Sequence, residues 1–261
     1  MADIPQRAQE RIKRLVSSPN PFFTSTLSTN ETVIARATGL RAISQVMGSS
    51  IFHVGFINAT SWGGGELTTL TAAYDQARSL ALSRMEQEAR LLGAHLVIDV
   101  QLVQRGYDWG EDLLEFSAIG TAVRIDGQPP APPILTLLKA DELYKLHKAG
   151  YWPAGIALGN CFWYERHADC TSEGNWYSQE LPSHTFATQH ARDLAVGRFR
   201  KFAAHFGAQG VVGVHVHRHA HDHHENGHIN FSLDLMVWGT AVVRRGNAAP
   251  PPRPRLVVDL E

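Results

Sequence analysis

The feature that most constrains this chain is that it is written twice, so the folding unit must be one that can be built two times in 261 residues. Ala77-Arg78, Gly93-Ala94 and Gly120-Thr121-Ala122-Val123 return as Ala191-Arg192, Gly207-Ala208 and Gly239-Thr240-Ala241-Val242. The first two pairs are offset by 114 positions and the last by 119, so the second copy carries extra residues between them. That insertion is rich in histidine. Features common to both copies report what is built, and a feature of one copy reports what was added.

Each copy has a physical reading. Ala77, Ala81, Met85, Ala89 and Leu92, matched by Ala191, Ala195, Phe199, Ala203 and Phe206, recur every three or four residues and predict a helix whose apolar face is mostly small, suited to lying close against a sheet. Gly93 and Gly207 stand where a left-handed cap ends a helix, and Val97-Ile98 and Val211-Val212 open β-branched runs behind them. After a polar loop, Phe116 to Val123 and Leu233 to Val243 return as the second arm of a hairpin. Upstream, Ser28-Thr29-Asn30-Glu31 with Gly39, and Lys139-Ala140-Asp141-Glu142 with Gly150, predict short capped helices ending at glycine. Ile43 to Phe56 and Ala154 to Arg166 follow as first strands, with Gly48 and Gly159 in mid-strand suggesting bulges.

Outside the repeats, residues 1–19 read as a helical arm, with Asp3 able to cap, Pro5 suited to the first turn, and Ile4, Ala8, Ile12 and Leu15 forming a narrow apolar stripe. The first domain spans 20–126, a Pro-rich linker begins at 127–130, the second domain spans 131–246, and 247–261 form a Pro-rich tail. In the tail, Leu256-Val257-Val258-Asp259-Leu260 is too short to fold alone and is expected to add to a sheet edge of its own or a neighbouring chain. A hydrophobic content of 44% allows ordinary cores, and a formal net charge of −1 gives no bulk attraction to nucleic acid or anionic lipid. With no apolar run near membrane-spanning length, no signal-peptide pattern and only Cys161 and Cys170, the expectation is a soluble, cytoplasmic protein.

Taken together, Met47-Gly48-Ser49-Ser50, the Ala77-Arg78 helix, the Gly93-Ala94 strand entry and the closing Gly120-Thr121-Ala122-Val123 resemble the YbjQ-type proteins (UPF0145, the heavy-metal-binding domain family), here in tandem. The resemblance implies an α+β fold of two β-α-β-β units similar to the dodecin subunit, each a three-stranded antiparallel sheet with one long helix. It also implies assembly into rings, commonly pentameric, with no enzymatic activity. The topology is physically sensible, because a strand, a crossover helix and a second strand leave two parallel strands between which the third can pair antiparallel to both. Free edges and an uncovered sheet face would then favour a closed homo-oligomer.

Chemistry is concentrated in the insertion. His215, His217, His219, His221, His223, His224 and His228, with Asp222 and Glu225 among them, supply half of the 14 histidines of the chain. On a strand, residues two apart share a face, so His215, His217 and His219 are expected in one row opposite Val212, Val214 and Val216. His221, His223 or Asp222 could complete a shell for zinc, nickel or copper. The competing reading is a solvated hairpin tip with no physiological metal. In the first copy Gln101, Val103 and Arg105 occupy the positions of the row, so metal binding is not a property of the repeat.

Other candidates are weaker. Cys161, His167, Asp169 and Cys170 match no zinc spacing and read better as packing. Gly63-Gly64-Gly65 lacks the Gly-Lys-Ser/Thr of a nucleotide loop. Trp62 with Glu66, and Trp176 with Glu180, read as contacts between domains or subunits, and His53, aligned with Tyr164, reads as a packing position. Three readings are open: a non-enzymatic ring protein that binds a transition metal, a structural scaffold, and a metalloenzyme. The first is preferred to the second, and the third is disfavoured because the repeat offers no convergent catalytic set and no cofactor fingerprint.

Overall fold

Ser28 opens the first element common to the two repeats. Its hydroxyl accepts the Glu31 N–H, Glu31 accepts the Ser28 N–H, and the short helix so capped ends at Gly39, which sits at φ 77°. Glu142 likewise accepts the Lys139 N–H, and that helix ends at Gly150, φ 81°. The computed structural model describes residues 4–19, 22–53, 64–106, 113–168, 180–225 and 228–245. Their order is α1 (Gln6–Ser17), α2 (Thr29–Ala37), β1 (Leu40–His53), β2 (Gly65–Glu66), α3 (Thr68–Leu91), β3 (Leu96–Gly106), β4 (Leu113–Ile125), β5 (Ile134–Leu135), α4 (Ala140–Lys148), β6 (Tyr151–Ala168), α5 (Pro182–His205), β7 (Gly210–Glu225) and β8 (His228–Arg244). The fold is mixed α+β with two sheets. The ends of the expected first strand (54–56), Trp62, Trp176, Asp169, Cys170 and the tail lie outside the described residues.

The sheets differ from the three-stranded expectation. Their orders are β1-β4-β3-β5 and β2-β6-β8-β7, so the closing Gly-Thr-Ala-Val strand lies between the other two long strands as expected, and a short fourth strand is added in each case. Each addition comes from the other repeat. β5, which leads into the second repeat, runs parallel to β3, and β2, from the first-repeat loop, runs antiparallel to β6. The physical reason is the edge problem that alternation of residue types does not reveal: a free strand edge exposes N–H and C=O groups that a lent segment satisfies.

The small-faced helices pack as their periodicity requires. Ala77, Ala81, Met85 and Ala89 of α3, and Ala187, Ala191 and Ala195 of α5, have no solvent exposure. Here the reading of Gly48 and Gly159 is corrected. The register shifts of the first strands fall at Ala42/Ser44, Pro153/Gly155 and Glu165/Ala168, not at these glycines. Instead a Cβ on Gly48 would stand 2.6 Å from the Met85 backbone nitrogen, and one on Gly159 the same distance from that of Phe199. They are the points where helix backbone comes down onto sheet.

The second face of the β6-β8-β7 sheet packs on the first repeat. Tyr74 of α3 meets Phe162 with ring centroids 4.2 Å apart, Asn160 donates to the Thr71 carbonyl, and the Phe162 N–H reaches the Thr71 hydroxyl. At the edge, Glu66 of β2 forms an ion pair with Arg198 of α5 at 2.6 Å, while Arg198 also donates to the Asn160 carbonyl. α3 is therefore covered by its own sheet and by its neighbour's. The N-terminal arm docks as a helix: Ile12 is buried, and Arg11 makes paired bonds to Glu88. Pro5 stands one residue before that helix, with no side-chain cap, and Asp3 lies outside the described residues.

Candidate metal centre

The histidine stretch begins in the part of the β7–β8 hairpin shared with the first repeat and runs on beyond it, since β7 reaches Glu225 while β3 ends at Gly106. A bulge sets its facing. Gly213, at φ 60°, shifts the β7 register between Val212 and His215, as Asp99, at φ 53°, marks the matching shift in β3. Beyond it, His215, His217, His219 and His221 stand opposite Trp238, Met236, Asp234 and Ser232. The row shares the sheet face that looks away from α5, because Leu233, Leu235 and Val237 of β8 pack with α5 on the other. The bulge also corrects one expectation. Val212, opposite Thr240, lies on the face of the row, and only Val214 and Val216 alternate with it.

All four imidazoles of the row are exposed. His215 stacks on Trp238 with centroids 5.7 Å apart, His217 and His219 are 6.4 Å apart, and His219 and His221 meet edge to face at 4.1 Å. His219 and His221 are thus the closest pair. Asp222, His223, His224 and Glu225 continue β7, and His228 begins β8, but the structure describes only their backbone. Among the described residues, no group of three or more His, Cys, Asp or Glu side chains is placed to hold a metal ion. What the described geometry offers is a ladder of imidazole donors, a chemistry suited to zinc, nickel or copper.

Behind the ladder lies a polar cluster that the sequence did not reveal. Burial raises the Asp234 carboxyl above its ordinary range, against the opposing pulls of His217, Arg78, a hydrogen bond from Gln104, and His219. Arg78 of α3 is 1% exposed and bonds Asp75 at 2.6 Å, and burial lowers its guanidinium from the usual value. Tyr74 beside it is pushed up to about 12, again chiefly by burial. The Ala77-Arg78 motif was legible as a repeat landmark, but the burial of Arg78 needs the second repeat above it. Its counterpart Arg192 is exposed.

Of the remaining candidates, Cys161 and Glu66 resolve as packing. Cys161 is fully buried in the α5-facing core, and burial, reinforced by the Glu66 carboxylate, pushes its thiol up to about 12. The side chain of His167 is not described. Gly65 and Glu66 pair with β6 instead of forming an anion cradle, which places Glu66 at the inter-repeat contact expected for it. His53 is not at a packing position as expected but is exposed at the end of β1. His95, passed over in the sequence, is buried and bonded at both nitrogens: Nδ1 accepts the Ile125 N–H at 2.9 Å, so Nε2 carries the proton toward the Pro129 carbonyl.

Residues 22–126 match the model of a family described as putative heavy-metal-binding, YbjQ. The chain is 33% identical over 250 residues, 92% of its length, to the encapsulin nanocompartment protein Rv1762c of Mycobacterium tuberculosis, covering 91% of that protein. It is 38% identical over 68 residues, 26% of its length, to a UPF0145 protein of Methanocella arvoryzae, covering 55% of that protein. No helix among the described residues is long and apolar enough to cross a membrane.

Proposed function

Because the chain belongs to the YbjQ-type (UPF0145) family, we propose that it is a non-enzymatic, ring-forming protein that binds transition metal ions through the histidine hairpin of its second repeat. The observation that carries this reading is the exposed row His215, His217, His219 and His221 on one face of β7, with His219 and His221 4.1 Å apart. Two or three neutral imidazoles from this row, completed by Asp222, His223, His224 or His228 or by the hairpin of another chain, make a nitrogen-rich shell for zinc, nickel or copper. In a ring, hairpins brought together raise the local ligand concentration, so no single hairpin needs to be preorganised. Five chains are expected by family resemblance, with the C-terminal tail docking on a neighbouring chain. A second reading is a structural scaffold. It draws on the name of the mycobacterial relative, which is that of a nanocompartment protein, and on the absence of the histidines from the first repeat.

Metal binding requires neutral imidazoles, so affinity should fall as the solution is acidified and protons compete for the ring nitrogens. Replacing His215, His217 and His219 together by Gln keeps polarity and removes the ligands. Calorimetric titration of zinc, nickel and copper into untagged parent and triple variant should show binding in the parent alone. Equal affinities would replace the metal reading with the scaffold reading.

A further inference from the structure

The contact between the two repeats is one-directional, and among the described residues the surfaces it uses have counterparts on the other repeat that make no such contact. At the strand edge, Gly65 and Glu66 of the first repeat pair with Tyr164 and Trp163 of β6, the Leu67 N–H bonds the Phe162 carbonyl at 2.8 Å, and Glu66 meets Arg198. By the repeat offsets, the corresponding partners are Glu180 and Leu181 on one side and Ile51, Phe52, His53 and Arg84 on the other. Arg84 donates to the Ser49 carbonyl as Arg198 does to that of Asn160, yet its Nε is buried with no hydrogen-bond partner among the described residues. Glu180 is exposed and accepts a hydrogen bond from the Thr185 hydroxyl at 2.7 Å.

The sheet faces repeat the asymmetry. Leu158 and Phe162, covered by the first repeat, are 6% and 7% exposed, whereas their counterparts Met47 and Ile51 are 48% and 61% exposed. So do the lent segments. Thr136 accepts the Val100 N–H and donates its own to the Val97 carbonyl, which secures the second repeat's lead segment on β3 while its hydroxyl stays on Thr240 of its own repeat. In the first repeat Ser25 and Thr26 make the same side-chain bonds to Thr121, but the edge they would cover is Val211 to Val214 of β7. Among the described residues no strand pairs with that edge: Val214 is 50% exposed, and Phe22, at the start of the segment, is 84% exposed.

We infer that the contact between the repeats of one chain is made again between chains, with Glu180–Leu181 of one copy adding to the β1 edge of the next and ion-pairing Arg84, while residues 22–27 of that next copy add to β7. It rests on the reading that the protein assembles, and it deepens that reading by naming the surface. The contact is head-to-tail, so its repetition gives a ring where the rotation closes. Both repeats then alternate in one ring and the number of repeat units is even, so that five chains would place ten units around it. The occupant is a second copy because the complementary charge, the lent strand and the apolar face are all present on this chain, in the geometry already seen once within it.

The test is charge reversal, read as native mass by light scattering and as the concentration at which assemblies dissociate. Glu180→Arg, at an exposed position, should weaken assembly by about tenfold or more, because it sets like charges together at the contact with Arg84. Arg84→Glu should do the same, and the double variant should restore the parental mass. Ile51→Arg, on the exposed sheet face, gives a second arm should Arg84→Glu fail to fold. A monomeric parent would overturn both assembly and this contact. An oligomeric parent whose mass is unchanged by Glu180→Arg and by Ile51→Arg would overturn this contact and leave assembly standing.

Discussion

Cys161 and His219 show how the same fold silences one donor and presents another. The Cys161 thiol lies in the core against the alanines of α5, where burial pushes its pKa from 9.0 to about 12. The neutral form is favoured in the folded state, so its contribution to stability is complete below the unfolded thiol value and is lost as pH rises toward 12. In a Cys170→Ser background, a thiol reagent at pH 8 should therefore react with the native protein at least about a hundredfold more slowly than with the protein unfolded in urea, because the thiolate is the nucleophile. Rapid native labelling would contradict the buried placement. His219, two residues from two other imidazoles and opposite Asp234, is instead held at the surface by strand alternation.

The helix-on-sheet contact depends on residues chosen for what they lack. A methyl group at Gly159 would stand 2.6 Å from the Phe199 backbone nitrogen and closer still to the Ala195 carbonyl, neither of which can move without shifting the helix. Gly159→Ala should destabilise the protein by about 1 to 3 kcal/mol, the usual cost of overpacking. Urea denaturation followed by circular dichroism measures it. A smaller loss at Gly197→Ala, where no atom lies within 4 Å of the added carbon, would separate overpacking from any general intolerance of substitution. The small-residue period announced this closeness, but the sequence reading assigned the mid-strand glycines to bulges, because a glycine in a strand serves either purpose.

At the scale of the molecule, equivalent positions have unequal environments. Phe162 packs on Tyr74 between the repeats, whereas its counterpart Ile51 faces solvent. Phe162→Ala should lower the stability of the single chain by about 3 to 5 kcal/mol, the range for removing a buried aromatic ring. Ile51→Ala, compared in the dissociated Glu180→Arg background, should change it by no more than about 0.5 kcal/mol, as expected of an exposed site. Denaturant midpoints of the two variants test the comparison, and equal losses would mean that the face carrying Ile51 is already covered in the single chain.

The sequence by itself determined the repeated unit, its helix and hairpin, the left-handed glycine caps and the imidazole row, because each follows from local periodicity or from a residue that alone fits a given φ. It did not determine the lent strands β2 and β5, the burial of Arg78, or the face on which Val212 lies. Those depend on where a second sheet edge, a second repeat and a bulge arrive in space, and such contacts join residues such as Glu66 and Arg198 that no local pattern connects. Only the tertiary structure decided that Leu158 and Phe162 are covered while their counterparts Met47 and Ile51 are exposed.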